Sequence, residues 1–345
     1  MPGIDDMVEL GYFCDDRYRL IGTTSAWNWQ QGAMLQWVGI SYLMAFNDYD
    51  GHKHIARIVD TDGKSVSVIP LPIAALSLDG SKALSYSFER LRTCKPAYSY
   101  ANCVDPNADV YCPANDGLYF IDLSSGNIQR LFSLADIAHY LPEPSMSGAY
   151  HYFNHCSFNP SGQRLVFLHR WQKHGKERTR MLTCNCNGSD IHVFATSEMV
   201  SHFTWKDDQQ LLVFARIAGI GDRYFLFQDR SPFLDIIGEN CLTSDGHPTF
   251  SSDGRWILTD TYPDRLGVSK LVLYDTASGQ RCDIARLRSP FQYVGDMRCD
   301  LHPRWNRDST MISFDSAHTG VRALCTVKLR TSEGHHRCTV TRHVC

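Results

Sequence analysis

His247-Pro-Thr-Phe250-Ser-Ser-Asp253-Gly254-Arg-Trp-Ile-Leu258 carries the fold in twelve residues. Asp-Gly marks a tight turn, and the β-branched and aromatic residues on either side of it mark two short strands. The same word, histidine first and an aromatic three residues later, recurs at His155-Cys-Ser-Phe158, His202-Phe-Thr-Trp205 and His302-Pro-Arg-Trp305. A turn position follows three residues after each aromatic: Ser161, Asp208, Asp253 and Asp308. The histidines are spaced by 47, 45 and 55 residues. Four-stranded propeller blades occupy roughly 40–45 residues each, so the repeat predicts an all-β chain, a single β-propeller spanning residues 1–345. Equivalent positions of successive blades lie at one depth around a common axis. The four histidines are therefore expected to converge.

A second kind of turn alternates with the first: Asp60-Thr-Asp-Gly63, Asp122-Leu-Ser-Ser-Gly126, Asn187-Gly188 and Asp275-Thr-Ala-Ser-Gly279. It would join the outer two strands of each blade, as the first joins the inner two. Six units follow, starting near Gly32, Ile73, His155, His202, His247 and His302. The leading residues, Leu10 to Thr24, would add strands that close the ring against the last blade, so the expected number is seven blades, with six as the alternative. The second unit carries an insertion at about residues 90–116, whose Tyr98, Tyr100 and Tyr111 suggest an ordered wall. Long insertions of this kind are commonly functional.

The bulk numbers exclude several classes. Thirty-four basic residues against 37 acidic ones give a net charge of −3, so no global field favours nucleic acid or an anionic membrane. No apolar run approaches the ~18 residues of a membrane span. The start, Met1-Pro-Gly-Ile-Asp-Asp6, lacks the basic and apolar regions of a secretory signal, and a cytoplasmic location is expected. Thirteen scattered cysteines then read as reduced, small hydrophobes.

The neighbours of each histidine bear on its chemistry. Asp300 and His302 are two apart, so on a strand they face one side and can share an ion; a hydrogen bond tying blades together is the other reading. With His247 from the adjacent unit, a mixed histidine and aspartate set suits Mn²⁺, Fe²⁺ or Zn²⁺. Positive charge gathers between His169-Arg170-Trp171 and Arg178-Thr-Arg180. Arg170 and Arg180, bounded by apolar or aromatic residues, are the candidates to point inward and hold a carboxylate. Trp27 and Gln31, in Trp27-Asn-Trp29-Gln-Gln31, would suit sugar stacking and hydroxyl contacts, or else core packing. Tyr262, following a second strand, is a candidate acid.

Taken together, Arg180-Met181, Ser201-His202-Phe-Thr-Trp205, His247-Pro-Thr-Phe-Ser-Ser-Asp-Gly254 and Asp300-Leu-His302-Pro-Arg-Trp305 resemble the oligogalacturonate lyase family of β-propellers. The similarity runs from about Tyr152 to the end. More loosely, the chain resembles the propeller ulvan lyases. The resemblance implies cleavage of an acidic, uronate-containing oligosaccharide or polysaccharide by β-elimination. It implies His202 as the proton-abstracting base and Arg180 as its partner. It also implies a divalent metal, manganese foremost with Zn²⁺ or Ca²⁺ as alternatives, held by His247, Asp300 and His302. His155, His169 and Arg170 would contact the substrate, with Trp27 and Gln31. Two positions depart from the family pattern: Asp300 stands where a histidine is expected, and Met297 where a glutamine is. The competing functions are a glycan- or protein-binding propeller without catalysis and a metal-dependent hydrolase on the same fold.

Overall fold

The computed structural model describes residues 1–15, 17–330 and 337–343. Strands alternate with tight turns almost throughout, and six four-stranded antiparallel sheets form the blades of a β-propeller fold. Each sheet is drawn from strands consecutive in sequence.

The chain divides into two compact units, Met1–Phe194 and Ala195–Cys345. The first holds three blades. Their strands are Gln36–Trp37, Met44–Tyr49, His54–Val59 and Ser65–Ile69; Ala75–Leu76, Lys82–Ser85, Gly117–Asp122 and Ile128–Ser133; and Tyr150–Phe158, Arg164–Lys173, Lys176–Asn185 and His192–Val193. The second holds blades four to six. These are Val200–Trp205, Gln210–Ile217, Gly221–Gln228 and Leu234–Ile237; Thr249–Phe250, Trp256–Asp260, Val268–Asp275 and Gln280–Arg288; and Arg304–Trp305, Met311–Ser316, Ala323–Arg330 and Arg337–His343.

The repeated aromatics occupy one register. Phe158, Trp205, Phe250 and Trp305 stand opposite Leu165, Leu211, Ile257 and Ile312 on the second strands of their blades. Their apolar bodies pack on the core, where complete burial of such a side chain is worth about 1.5–3 kcal/mol. The inner turns are closed by aspartate side chains. Asp253 accepts from Ser251 and the Arg255 N–H, and Asp308 accepts from the Thr310 N–H. In blade four Asp207 does this work, accepting from the N–H groups of Gln209 and Gln210, one residue before the expected Asp208.

The blade count is six, the second of the two numbers that the repeat allowed. A seventh blade, or closure of the last one, required the leading residues. Instead Val8–Cys14 pairs with Arg17–Thr24 in a separate two-stranded sheet. The chain reverses at Asp15, whose φ of 49° lies in the left-handed region that aspartate tolerates. A hairpin closes a far shorter loop than pairing with the distant end of the chain, and so costs less entropy.

The insertion in blade two is ordered around one buried cation. Arg90, 1% exposed, donates to the carbonyls of His151, Asn107, Val110 and Tyr111 and to the Asp105 carboxylate. Tyr100 is fully buried and stacks on Phe88 with centroids 4.4 Å apart. Tyr98 meets the ring of His155 edge-on, while Tyr111 is exposed.

Candidate metal and acid–base site

Three of the four repeated histidines form a row in the second unit. The ring centroids of His202 and His247 are 4.2 Å apart, and those of His247 and His302 are 4.0 Å apart. His202 lies on the first strand of blade four. His247 and His302 immediately precede the first strands of blades five and six.

Local backbone makes this approach possible. Gly246 separates Asp245 from His247, and a Cβ there would lie 2.0 Å from the Asp260 carbonyl oxygen. Glycine alone lets the segment lie against the end of the second strand of blade five. His302 has a φ of 41°, a left-handed conformation that costs about 1–2 kcal/mol for a residue with a Cβ. Its N–H donates to Asp260 Oδ2 at 3.2 Å, which helps to hold the turn.

Asp260 is the hub. It is 2% exposed and accepts from the His247 N–H at 2.6 Å and from His247 Nδ1–H at 2.9 Å. With the Nδ1 proton committed, Nε2 is the nitrogen of His247 suited to a metal. His202 is fixed in the same way. Its Nδ1–H is shared between Asp245 Oδ1 at 3.1 Å and Ser201 Oγ at 3.0 Å, while Ser201 Oγ donates to Asp245 Oδ2 at 2.5 Å. The lone pair of His202 therefore sits on Nε2.

Electrostatics separates the three rings. Burial, the nearby His247 and weaker compensation from Asp245 hold His202 below the ordinary histidine value, so it is a neutral base. Burial opposes a charge on His247, but Asp260, Asp300 and Asp245 together outweigh it and raise its pKa. His302 is pushed well down by burial, then by His247 and Arg304. Burial would raise Asp260, but His247 outweighs it and keeps the carboxylate ionised.

His247, Asp300 and His302 offer ligand atoms that all lie within 4.8 Å of one another. Two imidazoles and one carboxylate form a possible metal-binding triad, and this mixed nitrogen and oxygen donor set suits a divalent transition-metal cation such as Mn²⁺ or Zn²⁺ better than Ca²⁺, which prefers oxygen ligands throughout. Asp300 is also gripped by Arg298, Nε to Oδ1 at 2.5 Å and Nη2 to Oδ2 at 2.8 Å. The guanidinium of Arg298 lies over the ring of Tyr262, 4.5 Å from its centroid. Tyr262 in turn lies 6.4 Å from the ring of His202 and 5.9 Å from that of His247.

The remaining residues singled out in the sequence lie in the first unit. Arg180, 3% exposed, donates from Nε to His169 Nδ1 and from its Nη nitrogens to the carbonyls of Ile137, Tyr140 and Leu141. It thus caps the C-terminal end of the short helix Leu134–His139. His169 is wholly buried between Arg180 and His151. Arg170 Nη1 is paired with Glu177 Oε1 at 2.8 Å. Trp27, half-buried, packs beside the core around Leu10 and Phe46 and donates to the Asp6 carbonyl. Gln31 receives its local order from Asn28, whose side chain accepts the Gln31 N–H. His155 sits at a bulge with φ 54°.

Asp245, Ser201 and Arg298 were not singled out from the sequence. A signal for the first existed: Asp245-Gly-His247 repeats the Asp300-Leu-His302 spacing one blade earlier. The two aspartates nevertheless serve different partners.

No protein-family model matches the chain, and no curated protein is detectably similar to it in sequence. Solved structures share its fold. An oligogalacturonate lyase in complex with manganese superposes with a TM-score of 0.58 at 17% identity, covering 82% of this chain and 73% of that one. An acylaminoacyl peptidase superposes with a TM-score of 0.52 at 13% identity, covering 88% of this chain but 45% of that one. The β-propeller domain of the Trilobed protease from Pyrococcus furiosus, described as having an open velcro topology, gives 0.51 at 12% identity, covering 88% and 82%. At these identities the likeness is one of fold. The proteins that share this fold include a lyase and peptidases, so function has to be argued from the site.

Proposed function

We propose that this protein is a metal-assisted lyase that cleaves an acidic, uronate-containing saccharide by β-elimination. The observation that carries this reading is the pairing, in one row, of an orientated neutral histidine with a two-histidine, one-carboxylate ligand set. The manganese-bound lyase of the same fold supports it.

The residues have distinct tasks. His202, its Nδ1 proton held by Asp245 and Ser201, accepts the C5 proton α to the uronate carboxylate at Nε2. Protonation of Nε2 makes an imidazolium that the Asp245 carboxylate stabilises. Tyr262, beside both His202 and His247, donates the proton that the departing O4 requires. Asp260 keeps His247 turned with Nε2 available. His247, Asp300 and His302 would hold a divalent cation, whose Lewis acidity supplies stabilisation for the enolate charge on the carboxylate.

The test is to incubate the full chain with Mn²⁺ and pectic, ulvan, glucuronan and glycosaminoglycan oligosaccharides. β-Elimination leaves a double bond conjugated to the carboxylate, read directly as ultraviolet absorbance. His202→Ala should lower that rate by roughly 10²–10⁴-fold, the usual contribution of a general base. New reducing ends without the absorbance would make the protein a hydrolase. Saccharide binding with neither signal would make it a binding module.

A further inference from the structure

One position of the repeated word carries a charge in blade six and in none of blades three to five. Two residues after the histidine stand Ser157, Thr204, Thr249 and Arg304. All four lie in one register, paired across to Val166, Leu212, Leu258 and Ser313 on the second strands. The blade therefore takes a short hydroxyl here, opposite a large apolar residue. Ser157 and Thr204 donate to the carbonyls of the aromatics that follow them, Phe158 and Trp205. Blade six reverses the sizes, with a long cation on the first strand and a small serine facing it. Such an arginine is no requirement of the architecture.

Its placement is specific. Arg304 is exposed, while the next residue, Trp305, packs against the core around Leu258 and Ile312. Arg304 Nη1 donates to the carbonyl of His302 at 3.2 Å, so the guanidinium curls back to the backbone of a grouped ligand residue. Pro303 between them is buried and has a fixed φ, which holds the base of the side chain. Among the described residues no acid pairs with Arg304, and the His302 carbonyl is its one hydrogen-bond acceptor. A guanidinium has five N–H donors in fixed geometry, and the edge formed by Nε and Nη2 matches both oxygens of a carboxylate.

Charge points the same way. Asp245, Asp260 and Asp300 bring three carboxylates to the histidine row. An anionic sugar would be repelled unless positive charge were presented on the open side. Other arginines are committed. Arg298 is paired with Asp300 and lies over Tyr262, and Arg322 is paired with Asp315. Arg180 and Arg170, which the sequence suggests for holding a carboxylate, are buried in the first unit, on backbone carbonyls and on Glu177.

We propose that Arg304, held at the His302 carbonyl, is the residue that binds a uronate carboxylate of the substrate. This rests on the lyase reading above. It moves the anion-binding role from Arg180 to the one charged copy of a repeat position that is otherwise serine or threonine.

The experiment measures equilibrium binding by calorimetry with Mn²⁺ present, in a His202→Ala background that prevents turnover. The probes are trisaccharides of galacturonate and of glucuronate, each as the free acid and as the neutral methyl ester. With Arg304 intact, the acid should bind about 10- to 100-fold more tightly than its ester, the usual worth of a charge-assisted pair. Arg304→Thr installs the residue of blade five, which the register accepts, and removes the charge. It should reduce the preference to about twofold or less and leave ester affinity within about threefold, since only the charge-assisted pair is lost. Arg304→Lys, which keeps charge but loses the fork, should fall between. Arg255→Gln, at an arginine paired with Asp275, should retain the preference. Mn²⁺ affinity, followed by paramagnetic resonance, should not fall in Arg304→Thr. If Arg304→Thr kept the full acid preference, the carboxylate would belong to the cation alone and the assignment would be wrong while the lyase reading stood. If acid and ester affinities fell together with Mn²⁺ affinity, Arg304 would be a support of His302 and the assignment would again be wrong. Where elimination product forms but binding is too weak for calorimetry, KM of the His202 protein replaces the affinity, and an unchanged KM in Arg304→Thr overturns the assignment. Absence of binding by any probe, together with absence of the elimination product in the unsubstituted protein, would overturn both.

Discussion

Asp260 meets His247 twice, accepting its backbone N–H at 2.6 Å and its Nδ1–H at 2.9 Å. One carboxylate therefore sets both where the imidazole stands and which of its nitrogens bears the proton. The same carboxylate also accepts the His302 N–H, so two of the three grouped ligands depend on it.

Asp260→Asn tests this directly. An amide can accept at one atom, but its NH₂ end opposes the donors of His247 and His302. Loss of such an outer partner typically costs 10–100-fold in metal affinity. We expect Mn²⁺ affinity to fall by about that factor, measured by calorimetry on protein whose circular dichroism is unchanged. Unaltered affinity would remove Asp260 from the site.

Gly246→Ala should damage the same place by a steric route. The added methyl would lie 2.0 Å from the Asp260 carbonyl oxygen and 2.8 Å from Thr259 Oγ1. Backbone has to move, at a cost of about 1–3 kcal/mol for overpacking of this kind. Urea denaturation should show that loss, and Mn²⁺ binding should weaken with it as His247 is displaced.

Much of this was legible in the sequence, and the limits have physical causes. The four aromatics found at one spacing do occupy one register, because inner-strand pairing is local and the turn residues set it. The grouping of His247, Asp300 and His302 follows from the same repeat. The environment of Arg180 could not be read in this way. The apolar Met181 beside it suggested an inward side chain, but the helix end that it caps lies some 40 residues earlier. The partnership of Asp245 with His202 spans 43 residues and two blades. Leu10–Thr24 had strand-like composition, yet composition does not specify a partner, and the nearer one prevailed.

Arg90→Met should expose how the insertion is held. It would leave the Asp105 carboxylate, 4% exposed, without its cation and four carbonyls without their donor. Breaking a buried pair by removing one partner costs about 3–5 kcal/mol. Limited proteolysis should then cut within residues 91–115 well before the rest of the chain. Equal protection of that segment in the variant would show that the aromatic packing of Tyr100 on Phe88 suffices.

Arg180→Lys should act on stability. Lysine offers no fork, so the carbonyls of Ile137, Tyr140 and Leu141 and the His169 ring lose ordered donors. A charged hydrogen bond contributes about 1.5–3 kcal/mol, and a lower denaturation midpoint of that order is expected. Retained stability with lost turnover would instead give Arg180 the catalytic part that the family pattern implies.

The first unit should be most stable near the ordinary histidine pKa and lose stability on both sides, for opposite reasons. Arg180 Nε–H donates to His169 Nδ1, so His169 carries its proton on Nε2 and donates to His151 Nδ1, and His151 donates from Nε2 to the Met146 carbonyl. A proton added to either ring would set two donors against each other. Burial and the Arg180 charge hold His169 well below its ordinary value, and burial chiefly lowers His151 to about 4. The unfolded chain takes up these protons near pH 6.5 and the folded chain does not, so stability falls as pH drops from about 6.5 to about 4. His54 is the reverse. Burial opposes its charge, but the nearby Cys103 and the Glu89 carboxylate prevail and raise it to about 9. Its ring nitrogens lie 3.1 Å from Glu89 Oε2 and 2.8 Å from Asn102 Oδ1, two acceptors that suit an imidazolium. The folded chain keeps this proton where the unfolded chain releases it, so that contribution is complete below about pH 6.5 and disappears as pH rises towards 9. Each titration contributes a slope approaching about 1.4 kcal/mol per pH unit within its window. Denaturation of the unsubstituted protein and of His54→Gln, compared from pH 4 to 9, separates the two: the stability gap should narrow steadily above pH 6.5 and stay constant below it. A gap independent of pH would mean that His54 is neutral in the folded chain.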